Sequence, residues 1–475
     1  MVIAAVAGLA LPGCLGDTGG IAPPDDELIY PVALSTIRND SHLLVVNSNS
    51  FLDYNAGTLV AYQLSAMDTI DGAALDYDVR NGIFTLPPGV TLGQYCSGGM
   101  TGAWCSLDVA RGIRKDETIR LGAYASDLNI TPRRDHALIP VRGERAIISV
   151  DLLDGPNLLD CGETEDDDRR CDDAHTITSN GSVTLPIEPH HVATMDYVYN
   201  KDGKEYVQTL GFATHRAGGE VSLFSVASPK NIDSTTTGID DSSFTDNRLI
   251  KVLDGVVEGA SGIAVNPRSM DIFVVGQRDL SPHVAVLDVA TDWRSGGSYL
   301  TDPSFGQDRT INIQEEVYLG TGARDMAVSP DGKTGFIIIQ NPAAILIADL
   351  ERYKIIDLVP VCQESSRVGT FVDAGDEDDP LDDKLYAFVL CFLTSQIYII
   401  DPEFDFTVIR KTGPGPQDIA FDATRQIAYI SNFTDSTITM IQAVPPFNVI
   451  EVQEAGGIDE PLMLRIGEPH LPKGY

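Results

Sequence analysis

Seven cationic or imidazole side chains and one carboxylate carry the chemistry that the sequence suggests: Arg142, His190, His191, His215, Arg216, Arg278, Arg324 and Asp325. Arginine presents a planar fork that grips a carboxylate or phosphate through two parallel hydrogen bonds, so several on one rim would make an anion site. A second arrangement uses the same residues structurally, with the cations paired to Asp127, Asp325 and Asp418 in a hydrated channel. Neutral imidazoles are common zinc and copper ligands. Adjacent histidines on an extended strand point to opposite faces. His190 and His191 then supply one ligand between them and His215 a second, which does not close a metal site. No metal is expected from this set.

Sequence templates for catalysis are missing from the chain. It contains no C-x-x-C-H, G-x-S-x-G, H-E-x-x-H or G-x-x-x-x-G-K-[ST] motif, so neither haem attachment, a nucleophile elbow, a zincin helix nor a phosphate loop is indicated. No catalytic residue is assigned.

What positions the candidate residues is a repeat. Residues 415–441 read GPQDIAFDATRQIAYISNFTDSTITMI. Three short runs of β-branched and apolar residues are separated by polar turns, and a fourth run follows at 448–452. Such a unit cannot bury both faces alone. Comparable units recur at 30–121, 126–185, 190–253, 261–314, 324–359, 368–410 and 417–453, seven in all. Stacked copies bury a continuous core, and closing them into a ring removes the exposed sheet edges. No long helical periodicity and no run of eighteen or more apolar residues occurs.

The clearest unit runs Arg324-Asp325-Met326-Ala327-Val328-Ser329-Pro330-Asp331-Gly332-Lys333. Then come an apolar strand ending near Asn341 and another ending at Asp349. This pattern resembles the YVTN-type β-propeller repeat, and the strand-ending aspartate returns as Asp151, Asp288 and Asp401. The resemblance implies an all-β chain over 29–465, a seven-bladed β-propeller of four-stranded antiparallel blades with inserts between third and fourth strands. It is silent on activity, because propellers host unrelated functions. In that fold the residues before each first strand line the central channel, and the loops after second strands share its top face. The first set is Tyr30/Pro31, Ser126/Asp127, His190/His191, Ser261/Gly262, Arg324/Asp325, Arg367/Val368 and Gln417/Asp418. The second includes Arg142, Arg145, His215, Arg216 and Arg278. Phe51, Tyr54 and Phe433 add aromatic surface on the same face. The insert 67–116 has no template.

Residues 1–14 are apolar and uncharged up to Cys14, and Leu11-Pro12-Gly13-Cys14 resembles a bacterial lipobox. The reading is a lipid-modified Cys14, or an ordinary secretory signal, followed by a tether over 15–28 and, at the far end, a tail over 466–475. The other six cysteines form close pairs, Cys96/Cys105, Cys161/Cys171 and Cys362/Cys391, as expected for disulfides of an exported protein.

With 69 acidic against 33 basic residues the net charge is −36. This excludes a nucleic-acid footprint and charge-driven binding to anionic lipid. The acidic inserts 163–173 and 373–383 could hold Ca²⁺ through several oxygens, but neither has EF-hand spacing; a solvated acidic loop is the plainer account. The expected function is a non-catalytic binding or scaffold module of the cell envelope, outer-membrane or surface-anchored, otherwise periplasmic or secreted. It would recognise a protein, peptide or glycan through its top-face loops. The alternatives are an envelope enzyme of lactonase or lyase type around His190, His215 and Arg324, or a structural subunit of an envelope assembly.

Overall fold

The computed structural model describes residues 20–162, 169–201, 204–231, 247–278, 283–289, 305–313, 321–374, 383–404, 406–456 and 460–469. Cys14 and the rest of 1–19, most of both acidic inserts and residues 470–475 lie outside these. The chain is a β-propeller. Among the described residues the helices are single turns, Ser65–Asp68 and Leu92–Tyr95, with three 3₁₀ turns, and no described helix is long and apolar enough to cross a membrane.

Each unit runs up, down and up through three adjacent antiparallel strands, with a fourth outermost. In unit five these are Thr321–Val328, Thr334–Asn341, Ala344–Asp349 and Lys354–Pro360. The second and third strands read as unbroken apolar runs because units sandwich them on both faces. Phe336 through Ile339 are fully buried. The tight turn at Pro330–Lys333 needs a left-handed residue, supplied by Gly332 (φ +71°). Its carbonyl accepts a 2.8 Å bond from Asn266 Nδ2 of the preceding unit.

Among the described residues the apolar core divides into seven clusters, each lying between two adjacent units. Val45 of unit one shares a cluster with Ile427 and Met440 of unit seven, so the series closes on itself. The inner strands follow the same order, Pro31–Ile37 of unit one lying against Pro416–Asp422 of unit seven.

The expectation of seven four-stranded blades requires correction. Five sheets have four strands, and unit two has five. In unit two the outer strands are Leu159–Asp160 and Thr176–Ile177, both paired with Ala146–Leu152. The end of the expected unit, 182–185, makes only an isolated bridge, Ser179 to Thr184. Six units therefore stand as separate blades. The seventh unit's strands belong to a nine-stranded sheet. Its fourth place is shared: Leu462–Ile466 pairs with the start of the third strand, Ile438 opposite Ile466, and the expected run at 448–452 meets its end through the Ile441–Val449 bridge. Leu462–Ile466 runs into the stretch assigned to the tail.

The extra strands of this sheet are the insert of unit one. Trp104–Leu107 pairs in parallel with Leu462–Ile466, and Ile83–Thr85 in parallel with Glu451–Gln453. A loop from the first unit thus crosses to the last and zips onto it from outside. Cys96–Cys105 cross-links the loop, and Cys161–Cys171 and Cys362–Cys391 are also bonded, as expected. Arg425 of unit seven pairs with Asp68 of the insert at 2.6 Å and with Asp422 at 2.9 Å. Arg465 donates to Ser106 at 2.8 Å and lies over the Trp104 ring. Phe84, 1 % exposed, stacks on Tyr77 at 4.4 Å inside this clasp.

Phe84→Ala leaves a cavity at the ring closure and should cost about 3–5 kcal/mol in urea unfolding. If the clasp closes the ring, amide protection should fall together in 83–107, 427–442 and 462–466; loss confined to 76–85 would show the insert to be an independent flap.

Candidate functional site

Every site residue of the channel depends on one backbone device. Where the inner strand enters each blade, the pairing register shifts at a β-bulge. This is seen at Pro31/Ala33, Pro189/Val192, Ala260/Gly262, Ala323/Asp325, Ser365/Val368 and Pro416/Asp418. An unpaired extra residue bends the strand and re-aims its side chains. Two successive residues then face the axis instead of one. This corrects the alternation argument for the histidines: His190 and His191 both reach the channel, with rings 4.5 Å apart.

The two residues form two stacked layers. The upper layer is Val32, Ser126, His190, Ser261, Arg324, Ser366 and Gln417, and all seven line one cavity of about 570 Å³. The lower layer is Ala33, Asp127, His191, Gly262, Asp325, Arg367 and Asp418. Units one and six are therefore offset from the sequence alignment, which chose Tyr30/Pro31 and Arg367/Val368. The offsets are fixed by equivalent hydrogen bonds. Val192, Val368 and Leu34 donate their backbone N–H to Asp127, Asp325 and Asp418 at 2.9, 2.9 and 2.8 Å.

Arg367 joins those three aspartates across the channel. It donates to Asp127 at 2.8 Å and lies 3.0 Å from Asp418 and 3.8 Å from Asp325. Its Nη1 also donates to His191 Nε2 at 3.0 Å. The carboxylates are buried at 2–4 % exposure. Burial and the nearby Asp127 push Asp418 up to about 6 despite the guanidinium. Burial also raises Asp325, but Arg367 and His191 outweigh it and leave its pKa below the usual value. Asp127, Asp325 and Arg367 also line a second cavity, of about 260 Å³. The ionic layer thus separates the two spaces and gives the upper cavity a floor.

The wall of the upper cavity is cationic on one side. Arg142, Arg216 and Arg324 line it, from units two, three and five. Arg142 lies 3.6 Å from Glu188 and Arg324 lies 3.4 Å from Glu364. Arg216 donates to the neutral Gln277 at 2.6 Å, and no carboxylate among the described residues is within ion-pair distance of it. Burial lowers its pKa, and Arg142, Arg324 and Arg278 lower it further. His190 is depressed well below 6.5 by burial, by His191 and by the arginines. Its Nδ1 is buried without a hydrogen-bond partner among the described residues.

The other predicted residues fall elsewhere. His215 is fully buried, bonded to Ser222 Oγ at 2.7 Å and near the Ile187 carbonyl at 3.3 Å. Burial takes its pKa down to about 4. It is a structural histidine outside the cavity. Arg278 is exposed on the rim and does not line the cavity. Arg145 binds the Leu185 carbonyl. Asp325 belongs to the floor, not to the anion wall. No group of three or more potential metal ligands converges among the described residues. Phe433 lines the cavity with Phe392 and Leu393. Phe51 packs on Tyr30 and Phe433, at 4.8 and 6.0 Å. The sequence reading missed Arg367 as the hub, and Gln277, Glu364, Phe392 and Leu393 as lining. Arg367 was one register away, and its signal is an inner-strand arginine set against three inner-strand aspartates.

No family model and no curated protein matches this sequence. Among solved structures it is similar to Kuenenia stuttgartiensis hydrazine synthase at TM-score 0.51 and 11 % identity, covering 91 % of this chain and 98 % of that one. A putative 6-phosphogluconolactonase from Bacteroides fragilis gives 0.44 and 14 %, covering 82 % and 86 %. AztD from Citrobacter koseri gives 0.41 and 11 %, covering 93 % and 88 %. At such identities the likeness is one of fold: an all-β propeller of four-stranded antiparallel blades, found in proteins named as enzymes and in others that are not.

Arg367→Met would leave three buried carboxylates facing one another. It should cost about 3–5 kcal/mol at pH 7. A carboxyl raised in the folded state destabilises as pH climbs through its folded value, so the deficit should shrink as pH falls from 7 towards 4. A pH-independent deficit in urea melts would show that the arginine acts by packing alone.

A histidine with a depressed folded pKa behaves oppositely: its contribution is present above pH 6.5 and lost as pH falls below that value. In ¹⁵N-detected spectra the His190 imidazole should be neutral at pH 6; titration at the ordinary value would remove burial as the controlling influence.

Proposed function

We propose that this chain is a non-catalytic binding protein of the cell envelope whose top-face cavity holds the negatively charged group of a protein, peptide or glycan. The observation that carries the reading is Arg216. It is partly buried, flanked by like charges and bonded to a neutral amide, inside a protein of net charge −36. A guanidinium in that setting is stabilised by an incoming anion.

Export fits the three disulfides, which persist in oxidising compartments. Lipid modification of Cys14 is part of the same proposal. So are membership of the YVTN-type repeat proteins and a ring of seven, in which unit seven with its clasp serves as the last blade.

One observation favours a second reading, an envelope enzyme of lactonase or lyase type. His190 lines the cavity as a neutral imidazole whose Nδ1 has no hydrogen-bond partner among the described residues, so that nitrogen is free to meet a substrate proton. Turnover of a lactone or uronide that His190→Gln abolishes would select it.

In calorimetric titrations with acetate, sulfate, glucuronate and acidic peptides, Arg216→Ala should weaken binding roughly tenfold to a hundredfold, the loss of a charge-assisted contact. Arg278→Ala, outside the cavity, should change affinity less than twofold. Equal affinity in wild type and Arg216→Ala would overturn the assignment.

A further inference from the structure

The cavity is divided by chemistry as well as by height. Going round the ring, units two to five contribute Arg142, His190, Arg216 and Arg324, and units six and seven contribute Phe392, Leu393 and Phe433. Phe392 and Phe433 lie 6.3 Å apart, and Phe433 continues through Tyr30 to Phe51. This is an aromatic strip running from the cavity wall out onto the rim. Leu393 is 66 % exposed and Phe51 45 %. Apolar side chains at the mouth of a polar cavity, next to an unbroken aromatic strip, are the surface a ligand body would cover.

The charge on the other wall is small once its partners are counted. Three guanidiniums face two carboxylates, Glu188 and Glu364. One positive charge remains, that of Arg216. A dianion would be under-compensated there, and a polyanion would meet the field of a chain with net charge −36. A single carboxylate matches. A cavity of about 570 Å³ is of the size that encloses a small organic molecule.

We infer that the top-face cavity takes a monocarboxylate bearing an aromatic or branched apolar group. The carboxylate sits against Arg216 between Arg142 and Arg324, and the apolar body lies over Phe392, Leu393 and Phe433. This rests on the anion-binding reading above and narrows it. The same chemistry is offered by a free aryl acid and by the C-terminal residue of a peptide ending in Phe or Leu.

The test is a calorimetric series on the purified chain from residue 20 onward, disulfides intact. The probes are acetate, glucuronate, 3-phenylpropionate, N-acetylphenylalanine, a tetrapeptide ending in Phe and the same peptide as its amide. The aryl acids should bind at least tenfold more tightly than acetate and glucuronate. Leu393→Ser, an exposed position that leaves the core untouched, should cut that preference about threefold to tenfold while leaving acetate unchanged. Arg216→Ala should weaken acetate and aryl acids alike. The amide should lose most of the tetrapeptide's affinity. A tetrapeptide tighter than N-acetylphenylalanine identifies the source as a chain end; equal or weaker binding identifies a free acid. If all carboxylates bind equally, or Leu393→Ser and Phe392→Ala both leave the preference intact, the apolar half of the inference falls and the anion reading stands. If the wild type binds none of them, both fall.

Discussion

The structure depends on one interaction, the buried guanidinium of Arg367 among Asp127, Asp325 and Asp418. Each of those carboxylates accepts a backbone N–H from the next blade, so each is a clamp between neighbours. Buried in this way, three negative charges near the axis would repel one another and have no water to screen them. One planar cation with five donors in a rigid fork reaches them from unit six, where the compact ammonium of a lysine would not span them. This ionic layer lies between the two cavities. The compensation is incomplete at Asp418: burial and the nearby Asp127 raise its pKa although the guanidinium lies 3.0 Å away.

Closure is the second constraint. A sheet ring must join its ends or leave edges that pair with other chains. Here the join is made on the outside, by parallel pairing of residues 83–85 and 104–107 with the C-terminal strands. Parallel pairs need long crossovers, and the long insert of unit one supplies one. The cluster around Phe84, Tyr95, Met440 and Leu464 makes the first and last units one cooperative body. The Cys96–Cys105 bond holds the returning hairpin of that insert.

The repeat was legible in the sequence because turns and apolar runs are local signals, and six of its units stand as blades. The clasp was not legible. Its strands are two to four residues long and take their pairing from segments more than 350 positions away, which no local pattern records. The candidate site was half legible. His190, Arg142, Arg216 and Arg324 lie in the cavity because strand ends and second-strand loops converge on that face. His215 failed because its imidazole turns inward to Ser222, and Arg278 because it is exposed on the rim and does not line the cavity. The register of units one and six, and the orientation of the histidine pair, failed for a common reason. A bulge adds a residue without any compositional mark, and one residue is enough to turn a side chain from wall to channel.

The bulge also explains why an acidic protein has a cationic cavity. By exposing two residues per blade to the axis, it lets the upper layer carry a different charge from the lower. The aspartates lie below, tied to backbone amides and sharing the single charge of Arg367. Arg324 and His190 lie above, and Arg142 and Arg216 lean in from the loops. The lower layer keeps a negative excess, three carboxylates to one guanidinium, while the upper wall is left one positive charge in excess at Arg216. His190 does not add a second. Burial beside three guanidiniums keeps its ring neutral, and a neutral imidazole can accept or donate a hydrogen bond without changing the charge that selects the ligand. The net charge of the upper wall is therefore set by the pairing of Arg142 and Arg324 with Glu188 and Glu364 rather than by the number of arginines.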